Sequence, residues 1–337
     1  MASTAAPAAC GSVEPGGRAM DRRQLRAVIF LTMATATMCV AARPGPAHAA
    51  VPGHGARAVR SGAAHGICRS WENHNKIAAR MSRDIRAVLH RRDSIVAIRV
   101  QDSYLGIGCW YRAGRHFDSA SAVKATILAA LLRKAHAEHR ALTARERRLA
   151  WRMITESDNG AATALWDDVG RYRLGRFLRL TGMRQTGLGP GGYWGLTRIT
   201  ARDELLLLRH LLQPNPVLTK AARRYELHLM ARVVPAQRWG VPAGAPDDFT
   251  VHVKNGWAPL SPVPGWFVNS IGCFTHADRN YSMVVLTQGN PTMGYGVATV
   301  QDVAEVINRG LNPGARHVIA PSRPFPSWGR PDEPAAG

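Results

Sequence analysis

Ser121-Ala122-Val123-Lys124-Ala125-Thr126-Ile127-Leu128 opens a stretch whose apolar side chains continue through Leu131 and Leu132. Their recurrence every three or four residues predicts a helix over about 121–136. A serine and a lysine then lie one turn apart on one face of it. This helix divides the chain. Upstream, Ile77, Met81, Ile85, Val88 and Leu89 repeat at helical spacing between Glu72 and Leu89. Ser94 to Val100 alternates instead, with Ile95, Ala97 and Arg99 against Val96, Ile98 and Val100, as a strand does. A turn at Asp102-Ser103 leads to a second strand, Tyr104–Arg112, and so to a hairpin. Downstream, helices are expected at about 143–155, 159–168, 171–181, 201–212 and 217–231. Strands follow at about 250–257, 265–276 and 280–288, and a closing helix at about 298–309.

The order is helix, two strands, a helical block, three strands, helix. Short connections make neighbouring strands antiparallel, and the terminal helices cover one sheet face. The expected fold class is therefore α+β: an antiparallel five-stranded sheet flanked by helices, with an inserted all-helical lobe. The domain spans 71–311, with the helical lobe at about 118–212 set into an α/β lobe of 71–117 and 213–311. Residues 1–49 read as an N-terminal extension and signal peptide, 50–70 as a flexible linker, and 312–337 as a Pro-rich disordered tail.

The export signal is built from a basic segment, Asp21-Arg22-Arg23-Gln24-Leu25-Arg26, an apolar run from Ala27 to Ala42, and a small-x-small cleavage site, Ala47-His48-Ala49. The apolar run, about 16 residues, is short for a membrane span. Met38 before Cys39 is unlike the small residue that lipoprotein processing needs, so no stable membrane anchor is expected. The Arg22-Arg23 pair leaves the twin-arginine route open beside the general one. Cleavage leaves Cys68, Cys109 and Cys273, which allow three alternative bridges or three buried thiols. Cys68 just precedes the first helix and Cys109 sits on an early strand, which favours that pair. The formal charge of +21, from 44 basic and 23 acidic residues, is spread along the chain without a nucleic-acid motif. Anionic cell-wall polymers suit an exported protein of this charge better than nucleic acid; a codon bias towards arginine explains the charge as well.

Two further segments carry chemistry. Ser157-Asp158-Asn159 lies between two helical stretches, and Lys254-Asn255-Gly256 lies in a strand flanked by Val251, Val253 and Trp257. Each is common alone: Ser157-Asp158-Asn159 also suits a helix cap, and Asn255-Gly256 also suits a turn. Taken with Ser121 and Lys124 they describe a nucleophile, a base and a proton relay. A neutral Lys124 takes the Ser121 proton, burial and a nearby cation lowering its pKa for that task. The Ser157 hydroxyl bridges Lys124 and Lys254 and passes a proton to the leaving nitrogen. Asn159 donates to a substrate carbonyl, and Lys254 supplies positive potential for a carboxylate. Gly256 lets an extended substrate add to the strand edge.

In this order, with Phe117 four residues before Ser121, the segments resemble the penicillin-recognising serine acyltransferase superfamily of class A β-lactamases and D,D-peptidases. The resemblance covers about residues 72–310. It implies the α+β architecture already read from the element order. It also implies that the Ser121 and Trp257 backbone N–H groups hold the oxyanion. Three features depart from class A β-lactamases. Asn255 stands where Thr or Ser is usual, which bears on carboxylate recognition. No Asp or Glu occurs from Val169 to Arg202, where those enzymes carry the glutamate that activates the deacylating water. The segment that usually walls one side of the cleft is also shortened, which suits larger peptide-like substrates.

The expected protein is a secreted, cell-wall-associated, monomeric serine hydrolase. It forms an acyl-Ser121 enzyme on a D-Ala-D-Ala stem peptide of peptidoglycan or, slowly, on a β-lactam. A genuine β-lactamase with a different water-activating group is the alternative enzyme reading. A non-catalytic penicillin-binding or wall-sensing module is the third. No cofactor is expected. No metal is expected either, because His136-Ala137-Glu138-His139 spaces its histidines at three rather than the four of a zinc-protease helix.

Overall fold

Alternation along β2 (Ile95–Asp102) separates two cores. In this computed structural model, which describes residues 66–260 and 264–317, Val96, Ile98 and Val100 face one way. They join Met81 and Ile85 of α1 (Asn75–His90) and Val300, Val303 and Ile307 of α8 (Met293–Leu311). Ala97 faces the other way, towards Ile127, Leu128 and Leu208. The two terminal helices therefore cover one sheet face and the internal helices the other. The signal segment, most of the linker and the tail beyond His317 lie outside the described residues.

The sheet has six strands, not five. Its order is β1 (Cys68–Ser70), β3 (Ile107–Tyr111), β2, β8 (Arg279–Asn290), β7 (Trp266–His276) and β6 (Thr250–Pro259), with every pair of neighbours antiparallel. The additional strand comes from residues expected in the linker. Cys68 lies opposite Cys109, and a disulfide joins them. Pairing to β3 and the bridge order a segment too short to show periodicity. Cys273 is free and buried, and burial pushes its thiol up to about 12. The hairpin between β2 and β3 is closed by the buried Asp102. Its carboxylate accepts from the Tyr104 and Leu105 backbone N–H groups and from Arg279 at 2.7 Å.

A second, two-stranded sheet of β4 (His116–Asp118) and β5 (Arg198–Thr200) sets Phe117 opposite Ile199. The helical lobe is built on α2 (Val123–Ala137), which is buried on nearly every side, as a helix apolar all round must be. Around it stand α3 (Ala144–Trp151), α4 (Asn159–Val169) and α5 (Arg171–Leu180). Thr143 starts α3 through a capping box with Glu146. The helix expected over 143–155 widens into a π-helical turn at Arg152–Glu156, which Ser157 ends at φ 59.

Two boundaries differ from expectation. The helical core continues past residue 212, because Ala222, Leu229 and Met230 of α7 (Lys220–Met230) pack into the cluster around α2. Residues 312–317 are not part of a loose tail: Asp247 donates to the Arg316 carbonyl, and Pro246 bridges to His317. Among the described residues no helix is long and apolar enough to cross a membrane.

Candidate active site

Ala120–Ala122 form a single tight turn that runs directly into α2, so Ser121 stands at the helix N-terminus with Lys124 in the first turn. Ala120 has φ 45, a left-handed conformation that a side chain adopts at a cost. The turn is held from outside. The Ser119 N–H donates to the Thr197 carbonyl, and the buried Asn269 of β7 donates to the Asp118 and Ser119 carbonyls at 2.9 and 3.3 Å. Asn269 is a positioning group that strand periodicity does not reveal, since its role depends on where the serine turn packs against β7.

Lys124 is buried, and its Nζ donates to the Ser157 carbonyl at 2.5 Å, the Ser157 hydroxyl at 3.2 Å and Asn159 Oδ1 at 2.7 Å. Burial lowers its pKa to about 7, while Asp158 pulls the other way. With its oxygen held by Lys124, the exposed Asn159 keeps its amide nitrogen as a donor. Asp158 begins α4 by accepting from the Ala161 N–H at 2.6 Å, and Arg152 holds its other oxygen at 2.6 Å. These bonds, the Ala161 N–H first, keep the Asp158 carboxyl below the usual range.

The third segment arrives on β6, the edge strand of the sheet. Lys254 Nζ donates to the Ser157 hydroxyl at 2.9 Å and to the Asn255 carbonyl at 3.0 Å. One hydroxyl thus lies between two amines. Burial, and then Lys124, push Lys254 well below the lysine range. Of the two causes expected from sequence, burial and a neighbouring cation, burial is the one that lowers Lys124. Two amines that share one acceptor in a dry site favour a single proton between them.

Gly256 has a structural role beside the one expected. A Cβ there would sit 2.4 Å from the Ser119 carbonyl oxygen and 2.6 Å from the Ala122 nitrogen. The glycine is required by the close approach of β6 to the serine turn. Trp257, partly buried, packs edge-on against Trp239 with centroids 5.6 Å apart.

Asn255 is corrected. Val251 and Val253 face the core that holds α1 and α8, and two-residue alternation puts Asn255 on that same face and Lys254 on the other. Asn255 is buried, and its amide donates to the Gln237 and Trp239 carbonyls at 2.8 and 2.9 Å. It fastens the 237–239 segment to β6, and its side chain does not face Ser157.

Sequence reasoning missed Trp194. The loop after α5 folds back so that Gly195 accepts from the Ser119 hydroxyl and the Trp194 ring lies 4.8 Å from Lys124 Nζ. Its indole N–H donates to Thr163 at 3.1 Å. An aromatic ring, with no carboxylate on that loop, is therefore the loop's contribution beside the lysine.

A family model described as the beta-lactamase enzyme family matches residues 143–311, half of the chain. The chain belongs to that family. The match takes in Ser157 to Asn159 and Lys254 to Gly256, and it begins after Ser121 and Lys124. Solved structures share the fold at low identity. A class A beta-lactamase from Bacteroides cellulosilyticus is 16% identical over 69% of this chain and 97% of its own, with a TM-score of 0.60. A beta-lactamase from Sphaerobacter thermophilus is 20% identical over 70% of this chain and 98% of its own, with a TM-score of 0.60. PBP-A is 18% identical over 68% and 95%, with a TM-score of 0.59. No curated protein matches the chain.

Proposed function

We propose that this β-lactamase-family protein is an exported serine hydrolase that works through an acyl-Ser121 intermediate. Its substrates are D-alanyl-D-alanine peptides of the cell wall, and β-lactams act as slow substrates. The observation that carries this reading is the Ser157 hydroxyl held between Lys124 and Lys254. A hydroxyl so placed accepts from one amine while donating to the other. Lys124, as the neutral member of the pair, takes the Ser121 proton while Ser121 Oγ bonds to the substrate carbonyl carbon. The C–N bond then breaks, and the proton passes through Ser157 to the departing nitrogen. The helix N-terminus at Ser121 favours the negative charge that develops on the carbonyl oxygen. The unpaired side of β6 offers backbone groups to an extended peptide.

Water must then break the acyl ester. The loop that carries Trp194 holds no carboxylate from Val169 to Arg202, and its indole covers Lys124. Loss of a positioned base costs on the order of 10²–10⁴-fold, so the ester from a β-lactam persists. This favours a persistent acyl-enzyme over efficient β-lactam hydrolysis. Export is supported by the basic-apolar-small order of residues 21–49.

Intact-mass spectrometry after incubation with benzylpenicillin tests the reading. The expected result is one stable adduct on the wild type and none on Ser121→Ala. A folded wild-type protein that stays unmodified after prolonged incubation would overturn it.

A further inference from the structure

A groove of about 690 Å³ lies between α3 and α7, with a floor of Trp151, Tyr225 and Leu229. Trp151 is 42% exposed, an unusual position for an indole on a helix otherwise dominated by arginine. Around this floor stand Arg147, Arg148, Arg152 and Arg224, with His228 beside them. No acidic side chain lines the groove. Among the described residues neither Arg148 nor Arg224 has an acidic partner, and both are exposed. Arg152 is anchored to Asp158 at 2.6 Å, so one cation of the rim is fixed in place.

Like charges gathered over an apolar floor repel one another, and an anion seated among them relieves that repulsion. Planar guanidinium groups suit planar anionic groups and stack on aromatic faces. The volume falls in the usual range for small-molecule sites. The groove is open and its cations stand around an apolar floor, so a compact ligand that carries both rings and charge meets both at once. We propose that the α3–α7 groove binds an aromatic anion, a planar ring system bearing a carboxylate, sulfonate or phosphate. The rings lie against Trp151 and Tyr225, and the acidic group meets Arg148 and Arg224. This site is separate from the acyl-serine chemistry and does not depend on it.

The probe is 8-anilinonaphthalene-1-sulfonate, titrated into the full folded chain and followed by its fluorescence. Saturable binding at one site per chain is expected. Trp151→Ala and the pair Arg148→Glu with Arg224→Glu should each weaken it by about tenfold or more. The uncharged analogue N-phenyl-1-naphthylamine should bind about tenfold more weakly than the sulfonate. The arginine pair is exposed, so its variant keeps the fold, as circular dichroism and the melting temperature will verify. Unchanged binding in the arginine variant would overturn the proposal. So would equal affinity for the uncharged analogue, which would mean a plain apolar patch. Arginine-dependent sedimentation with anionic phospholipid vesicles, without saturable probe binding, would overturn it in favour of a membrane surface.

Discussion

Acylation of Ser121 should follow the titration of Lys124. Burial lowers this amine from 10.5 to about 7, and only its neutral form can take the serine proton. Below the folded pKa the neutral fraction falls tenfold per pH unit. It is about one half at pH 7, about one tenth at pH 6 and about one hundredth at pH 5. The acylation rate should therefore climb about tenfold from pH 5 to pH 6, about fivefold from pH 6 to pH 7, and level off above about pH 8. A solvated lysine would instead keep the rate climbing past pH 10. Asp158 raises the Lys124 pKa, so Asp158→Asn should move the whole limb to lower pH. The assay is the pseudo-first-order rate of fluorescent-penicillin labelling, read on gels across pH 5–10 at constant ionic strength, with folding checked at each end. A rate that is flat from pH 5 to pH 8, or one that still rises at pH 10, would refute the assignment of Lys124 as the base.

Trp194→Ala removes a ring that both shields Lys124 from water and attracts its ammonium form. Burial is the largest influence on Lys124, and a cation–π contact is worth only about 1–2 kcal/mol, so opening the amine to water should outweigh the lost attraction. The midpoint of the labelling profile should rise, and labelling at pH 6 should slow; an unmoved midpoint would remove the ring's role. Gly256→Ala would force a Cβ to within 2.4 Å of the Ser119 carbonyl, displacing the serine turn. Thermal melts should show a loss of about 1–3 kcal/mol, with acylation sharply reduced, and a variant equal to wild type in both would contradict the close approach. Glu204 is fully buried, neither of its oxygens has a hydrogen-bond partner, and burial followed by Asp203 raises its pKa to about 8. Because the folded pKa exceeds the unfolded one, unfolding releases a proton between about pH 4.5 and 8. Glu204's contribution is greatest below that window and declines by about 1.4 kcal/mol per pH unit across it. In Glu204→Gln that decline should be absent, so a wild-type stability profile that parallels the variant's from pH 4.5 to 8 would refute the buried neutral carboxyl.

Long elements with one buried face were readable from periodicity, because a strand such as β2 must send Val96, Ile98 and Val100 one way and Ala97 the other to fill two cores. Cys68–Ser70 shows no such pattern. Three residues are too few for periodicity, and their pairing depends on β3 and on a bridge to Cys109. The helical lobe was misjudged at its far end for a related reason. An amphipathic α7 can be recognised from its own residues, but which core it faces depends on where the chain returns.

The site divides along the same line. Ser121, Lys124, Ser157 and Lys254 were legible as short patterns because each needs only its own turn or strand to be presented. Trp194 was not, since its place above Lys124 depends on the path of a whole loop pinned at Ser119 and Thr163. Asn255 is the instructive residue, because its placement was available from sequence. Val251 and Val253 mark the buried face of β6, and the residue two further on must share it. A motif read as three adjacent letters treats Lys254 and Asn255 as partners, whereas a pleated strand sends them to opposite faces. The lysine reaches Ser157 because its neighbour does not. The amide that ties β6 to Gln237 and Trp239 helps to hold Lys254 where two amines can share one hydroxyl.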